Sequence, residues 1–342
     1  MTRASSTPVV PVLMILASCT SLQFGSALAA GLFPIIGSWG TTSLRLGLAA
    51  LVLCIAVRPG PWRLRAAQWR SVLLFGLTIG TMNGFFYAAV ARLPLGTAVT
   101  IEFLGPLAVA AILSTRRTDL LWVALALLGI SLFGIESIRG DAELSLVGVL
   151  FALVAALFWG LYVITSAEVG RVVPGQDGLA LALGVGALAI LPIGWRGAAE
   201  GIMHPGLLLA ALGTAVLASV LPYTLELSAL RRLPRHVFGI LLSLEPVIAL
   251  IAGVVLLGQH ASGLRIAASI VVVAASAGVT LTARRPAPEE AEPAPDPAEQ
   301  DLPVVTHATY TGEFPIVAEE DLLGEEPLDE PDPGFEPPET RS

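Results

Sequence analysis

Four charged side chains stand inside long apolar runs of the sequence: Arg45, Glu102, Glu226 and Glu245. Glu245 lies in the middle of "HVFGILLSLEPVIALIAGVVLLG", residues 236–258, and is followed directly by Pro246. A central carboxylate costs about 2.5–3.5 kcal/mol on membrane-insertion scales, and an interior proline removes a helix hydrogen bond at roughly 3 kcal/mol. Glu102 precedes Pro106 by four residues in a comparable run. The chemistry these residue types support is the holding of charged and polar groups away from water. A carboxylate accepts from an ammonium group and the Arg45 guanidinium donates to a carboxylate. Gln23, Asn83, Tyr87 and Tyr223 add neutral hydrogen-bonding groups within the same apolar runs.

Each of these residues also has a plainer reading. Glu226 sits near the end of its run, within snorkelling reach of Arg231 and Arg232, and reads as structural. Arg45 is expected to pair with Glu102 or Glu245, as a clamp or as a contact for a solute carboxylate. Polar residues in membrane bundles serve as interhelical glue, and Pro106 and Pro246 are either simple kinks or gating points. Enzymatic chemistry finds little footing. The apolar runs hold no histidine beyond His236 at a boundary, and two cysteines, Cys19 and Cys54, make neither a disulfide framework nor a metal cluster. No enzyme, metal or cofactor is expected.

Such side chains must be positioned by a membrane bundle. The 342 residues are 55% hydrophobic and only 13% charged, with a mean hydropathy of +0.79, far from the balance of a soluble domain. A window of roughly 20 residues finds ten candidate spans, at about 9–29, 41–57, 71–91, 95–114, 119–136, 144–165, 178–195, 206–229, 236–257 and 263–283. Their continuous apolar character is helical, since a β-barrel would alternate in shorter segments. Arg3, Arg58, Arg63, Arg65, Arg70, Arg116, Arg117, Arg171, Arg231, Arg232, Arg235, Arg284 and Arg285 fall on one side of this ladder, against Arg92, Arg139, Arg196 and Arg265 on the other. The asymmetry puts both termini in the cytoplasm. "LASC" (16–19) and "SALAA" (26–30) imitate signal-processing sites, but the apolar stretch continues through Ile36 and is expected to remain as the first span.

Charge is segregated along the chain. Residues 1–285 hold 18 arginines against 10 acids, and residues 286–342 hold one arginine against 17. Stretches such as "PAPEEAEPAPDPAEQ" cannot bury a core, so 286–342 is expected to be a disordered, proline-rich cytoplasmic tail with room for a partner of its own. Residues 1–285 are internally repetitive. At a shift of 140 residues Arg92-Leu93-Pro94 meets Arg232-Leu233-Pro234, Leu104 meets Leu244, and Pro106 meets Pro246. That shift superposes the third, fourth and fifth spans on the eighth, ninth and tenth. The expected fold is therefore an all-α integral membrane protein of ten transmembrane helices, in two inverted five-helix repeats at about 9–136 and 144–285. Secondary transporters are built this way, with substrate sites near the midplane.

"TAVTIEFLGPLAVAAIL" (97–113), "SLEPVIALIAGVVLLG" (243–258) and "SLQFGSALAAGLFPIIG" (21–37) resemble the EamA-type branch of the drug/metabolite transporter superfamily, and within it the bacterial threonine/homoserine exporters. The resemblance spans residues 9 to about 285. It implies a multi-pass protein of the bacterial inner membrane that exports amino acids and related metabolites against an inflow of protons. The implied partners are the lipid bilayer, protons and a small amino-acid-like solute, with no nucleic acid. Cys19-Thr20 stands where the branch commonly carries Trp-Gly, and the acidic tail has no counterpart there. A multidrug exporter and a lipid-carrier flippase are the alternatives, since both also need a polar inward-facing groove.

Overall fold

The computed structural model describes residues 9–113, 119–138, 145–173, 175–230, 232–233 and 235–282. Among them every regular element is helical: α1 (Val9–Val57), α2 (Ala66–Val90), α3 (Leu95–Glu102), α4 (Leu104–Leu113), α5 (Asp119–Ile138), α6 (Leu146–Val172), α7 (Asp177–Met203), α8 (Pro205–Ala215), α9 (Leu221–Leu230), α10 (Arg235–Leu242), α11 (Glu245–Leu257) and α12 (Gly263–Thr282). The chain divides into a unit of residues 1–285 and a second of 286–342. The acidic tail lies outside the described residues, as do Arg3, Arg116, Arg117, Arg139, Arg231, Arg284 and Arg285.

Among the described residues, six helical stretches are long and apolar enough to cross a bilayer: Val9–Val57, Ala66–Val90, Leu146–Val172, Asp177–Met203, Pro205–Glu226 and Ile240–Leu257. Leu95–Val109, Leu121–Leu132 and Gly263–Gly278 are shorter apolar helices. The protein is a multi-pass membrane protein, and its packing shows the solvent for which it is built. On α6 the buried positions are Gly148, Ala152, Ala155, Ala156, Gly160 and, near its end, Val169, while Leu146, Leu150, Leu153, Leu157 and Leu161 face outwards. Leucine gains nothing from being hidden when the surroundings are hydrocarbon. Small residues inside instead let backbones approach closely, which is how helices associate in lipid. The main neighbours cross between the two halves of the chain: α1 packs on α7, α2 on α6 and α7, α3 on α11, and α5 on α12.

Several of the helices are interrupted, and proline explains where. The windows 9–29 and 41–57 lie on two helical limbs of α1 that meet at a kink at Gly37, whose φ of 71° and ψ of 161° lie in a region essentially reserved for glycine. Pro34, three residues earlier, has no N–H to continue the ladder. The fourth window is split at Phe103, where the Glu102 carbonyl would need a donor from Pro106. The ninth is split at Ser243–Leu244, where the Leu242 carbonyl would need one from Pro246. Between α8 and α9 the chain makes a π turn, Val216–Val220, just before Pro222.

Candidate functional site

The breaks place polar groups in the interior. Glu245 opens α11, and Leu244 before it is the N-cap. A helix N-terminus carries partial positive charge, which favours a carboxylate there. The Glu245 side chain is 5% exposed, and its Oε1 accepts a hydrogen bond from Gln23 Nε2 of α1 at 3.3 Å. Glu102 ends α3 and is also buried, within electrostatic range of both Glu245 and Arg45.

Arg45, on the second limb of α1, is 1% exposed, and neutral groups hold it. One terminal nitrogen donates to the Tyr87 hydroxyl at 3.0 Å and to the Ala218 carbonyl at 3.4 Å, and the other donates to Asn83 Oδ1. The guanidinium also lies 4.4 Å from the Tyr87 ring centre, a cation–π contact. Asn83 is fixed by its own amide, which donates to the Ile79 carbonyl at 2.8 Å. The expected pairing of Arg45 with Glu102 or Glu245 is not what the structure shows. No carboxylate among the described residues lies within ion-pair distance of it. Tyr223 lies beside Asn83 and Arg45 and stacks on Tyr162 with ring centres 6.3 Å apart.

Pro222 shapes the wall opposite α1. It has no N–H for the Ala218 carbonyl, and the π turn sends the Leu221 N–H to Val216 instead of Leu217. Two carbonyls are thereby freed. Ser21 Oγ donates to Leu217 O at 2.7 Å, and Arg45 takes Ala218 O. One turn on, Ser18 Oγ donates to Glu226 Oε1 at 2.7 Å and reaches the Pro222 carbonyl at 3.4 Å. Glu226, expected to snorkel towards Arg231 and Arg232, is thus engaged by α1. Arg231 itself falls outside the described residues.

Among the described residues, five buried side-chain atoms have no hydrogen-bond partner: Gln23 Oε1, Ser26 Oγ, Arg45 Nε, Thr97 Oγ1 and Ser219 Oγ. An unsatisfied buried polar group costs about 1–3 kcal/mol, so each of these atoms calls for a partner. At least four of them share one neighbourhood. Gln23 and Arg45 belong to the contacts just described, Ser26 lies beside the Tyr87 hydroxyl, and Ser219 adjoins Ala218, against which Gly25 packs. An apolar groove of about 280 Å³ between α1 and α11, lined by Thr20, Phe24, Ile248 and Ile251 among others, neighbours the Gln23–Glu245 bond. Its hydrocarbon lining separates it from the polar set.

The chain is similar to known proteins. It is 40% identical to the threonine/homoserine exporter RhtA of Salmonella typhimurium strain LT2 and 38% identical to that of Escherichia coli K12. Each match runs over 277 residues, 80% of this chain and 92% of the relative. Residues 146–281 match the EamA-like transporter family. The chain belongs to that family. A protein of known crystal structure, 23% identical, superposes on 80% of this chain and 99% of its own with a TM-score of 0.52, a likeness of fold alone.

Of the residues singled out in this EamA-like transporter from sequence, the structure joins Gln23 to Glu245, brings Arg45, Asn83 and Tyr87 into direct contact with Tyr223 beside them, and sets Glu102 in electrostatic range of both Glu245 and Arg45. Pro106 and Pro246 each follow a helix break. Ser18, Ser21, Ser26 and Ser219 escaped notice because serine is common in membrane helices and carries no spacing signal. Pro222 was not singled out either, being one of several prolines in the apolar runs with Pro34, Pro106, Pro192 and Pro246; its place one residue before Tyr223 was the available signal.

Proposed function

We propose that the protein is a secondary active exporter of small amino acids of the threonine and homoserine kind, working in the bacterial inner membrane and driven by an inflow of protons. The unsatisfied groups carry this reading. A zwitterion needs acceptors for its ammonium and donors for its carboxylate. Glu245 and the free Gln23 Oε1 supply acceptors side by side. The free Arg45 Nε–H supplies a donor, and Ser26 and Ser219 supply hydroxyls. With neutral partners at its terminal nitrogens, the Arg45 guanidinium has no carboxylate of its own among the described residues and is available to a ligand. The names of the relatives support the same solute class.

The ten-span, two-repeat architecture is supported by three features: α1 bends at Gly37 into two limbs, six stretches have spanning length, and three shorter apolar helices accompany them. In the transport cycle Glu245 binds the ammonium as a carboxylate, and a proton entering from outside takes its place and releases the solute. The neutral carboxyl then returns at lower electrostatic cost. Rocking is accommodated where the helix ladders are already broken, at Gly37, Phe103 and Ser243–Leu244.

The test is efflux. Cells overproducing the protein are loaded with a panel of dipeptides, and the free amino acids that leave are measured. Threonine and homoserine are expected to leave faster than from cells with an empty vector. Efflux of cationic dyes without any amino acid would replace this reading with drug export, and altered envelope lipids with neither would replace it with a flippase. Reporter fusions near residues 66, 117, 200 and 286 are expected to read inside, inside, outside and inside. Truncation after Arg285 is expected to leave export intact.

A further inference from the structure

The contacts of α1 single out a second carboxylate. Ser18, Cys19, Gln23 and Ser26 are all buried along the first limb of α1. Ser18 holds Glu226 and Gln23 holds Glu245, so two carboxylates from different helices are fastened to one limb five residues apart, about 7.5 Å of helix rise. The two carboxylates are within electrostatic range of each other. Around Glu226 lie Ser18, Cys19, Tyr162 and Tyr223, and no basic side chain among the described residues forms an ion pair with either carboxylate. Two neighbouring like charges without a cation are unfavourable in low dielectric. A proton taken up by one carboxyl, or a cationic group arriving between the two, relieves that repulsion.

Unpartnered atoms point to a ligand rather than to a structural pair. Gln23 Oε1 belongs to the amide that touches Glu245, and Ser219 Oγ is fully buried one turn before Pro222, whose carbonyl shares Ser18 with Glu226. Ser219, Pro222 and Glu226 are spaced so as to share the helix face turned to α1. We propose that Glu226, steadied by Ser18, forms a second subsite for the ammonium group of the exported amino acid, on the cytoplasmic side of Glu245. The solute is taken first at Glu226 and passed along α1 to Glu245, with Gln23 Oε1 and Ser219 Oγ accepting hydrogen bonds on the way. Movement of the first limb of α1 about Gly37 acts on both carboxylates at once. This subsite rests on the exporter reading and adds to it a sidedness that the reading alone does not require.

The experiment compares the two membrane faces. Everted vesicles carrying the full chain report half-saturation by labelled threonine and homoserine at the cytoplasmic face, and right-side-out vesicles report it at the outer face by counterflow. Glu226→Gln is expected to raise the cytoplasmic half-saturation at least about tenfold, the scale of losing a hydrogen bond to a charged group, and to leave the outer value within about twofold. Ser18→Ala is expected to shift it the same way by less, and Glu226→Asp to restore part of the loss. Equal shifts at both faces, or none at either, overturn the subsite. If Glu226→Gln does not accumulate in the membrane, Ser18→Ala and Glu226→Asp decide: unchanged cytoplasmic half-saturation in both overturns it. Wild-type vesicles that take up neither solute refute the exporter reading itself, an outcome distinct from an active wild type with an indifferent Glu226 variant.

Discussion

The two proline-broken helices, α3/α4 and α10/α11, begin from nearly the same instruction and end with different tasks. In each, a proline withholds the N–H due to the carbonyl four residues earlier, and the helix stops and restarts there. At the 140-residue shift Gly105 meets Glu245 and Glu102 meets Leu242. Gly105 is pressed against α6, where an added Cβ would overlap the Ala156 carbonyl oxygen. Glu245 starts its helix with its side chain turned to Gln23. The first break is closed by packing; the second opens on the polar set. The glutamates differ too, because Glu245 sits at a helix N-terminus that favours negative charge and Glu102 at a C-terminus that disfavours it. A repeated break therefore supplies a bend, and the residue beside it decides whether the bend becomes a binding position.

Substitutions in the two breaks test that contrast. Glu245→Gln is expected to have the largest effect. It removes a charge-assisted contact worth about 1.5–3 kcal/mol, so apparent solute affinity falls roughly 10- to 150-fold, and gradient-driven export stops because the amide cannot exchange a proton. Membrane abundance stays near wild type. Retained export with unchanged pH dependence moves the coupling role to Glu102. Gly105→Ala should act in the opposite way, through the fold. Overpacking costs about 1–3 kcal/mol, to be read as a lower melting temperature in detergent, with residual protein still binding threonine. A variant as stable as wild type would show that α6 yields and that the first break is not closed by contact.

Gly37→Ala is expected to cost about 1–3 kcal/mol from its backbone conformation alone, since nothing crowds the added methyl. Its transport rate should fall more than its solute affinity, and a uniform loss of both would make Gly37 a static bend. The smallest effect is expected from Glu102→Gln, a change of roughly threefold or less in export, on the scale of one neutral hydrogen bond. A loss as large as that of Glu245→Gln would make the two breaks equivalent and erase the distinction between them.

Much of this protein was readable along the chain. Apolar continuity over stretches of spanning length leaves backbone polar groups no partner but their own helix, so the all-helical membrane class follows from composition and window length. Prolines 106 and 246 announced the breaks, and the isolated polar residues in apolar runs marked the candidates. Joining the first two windows through Gly37 could not be read, because glycine at residue 37 is compatible with either a loop or a bend. Partner choice was also hidden. Gln23 and Glu245 are 222 residues apart, and Ser18 and Glu226 are 208 apart. Helices that are apolar all round do not declare which face turns inwards, so their rotation and neighbours are settled only by small residues meeting across the bundle. For that reason the presence of Arg45 was evident from sequence, while its choice of Asn83, Tyr87 and the carbonyl freed by Pro222, in preference to any carboxylate, was decided by the packing of α1 against α2 and the π turn.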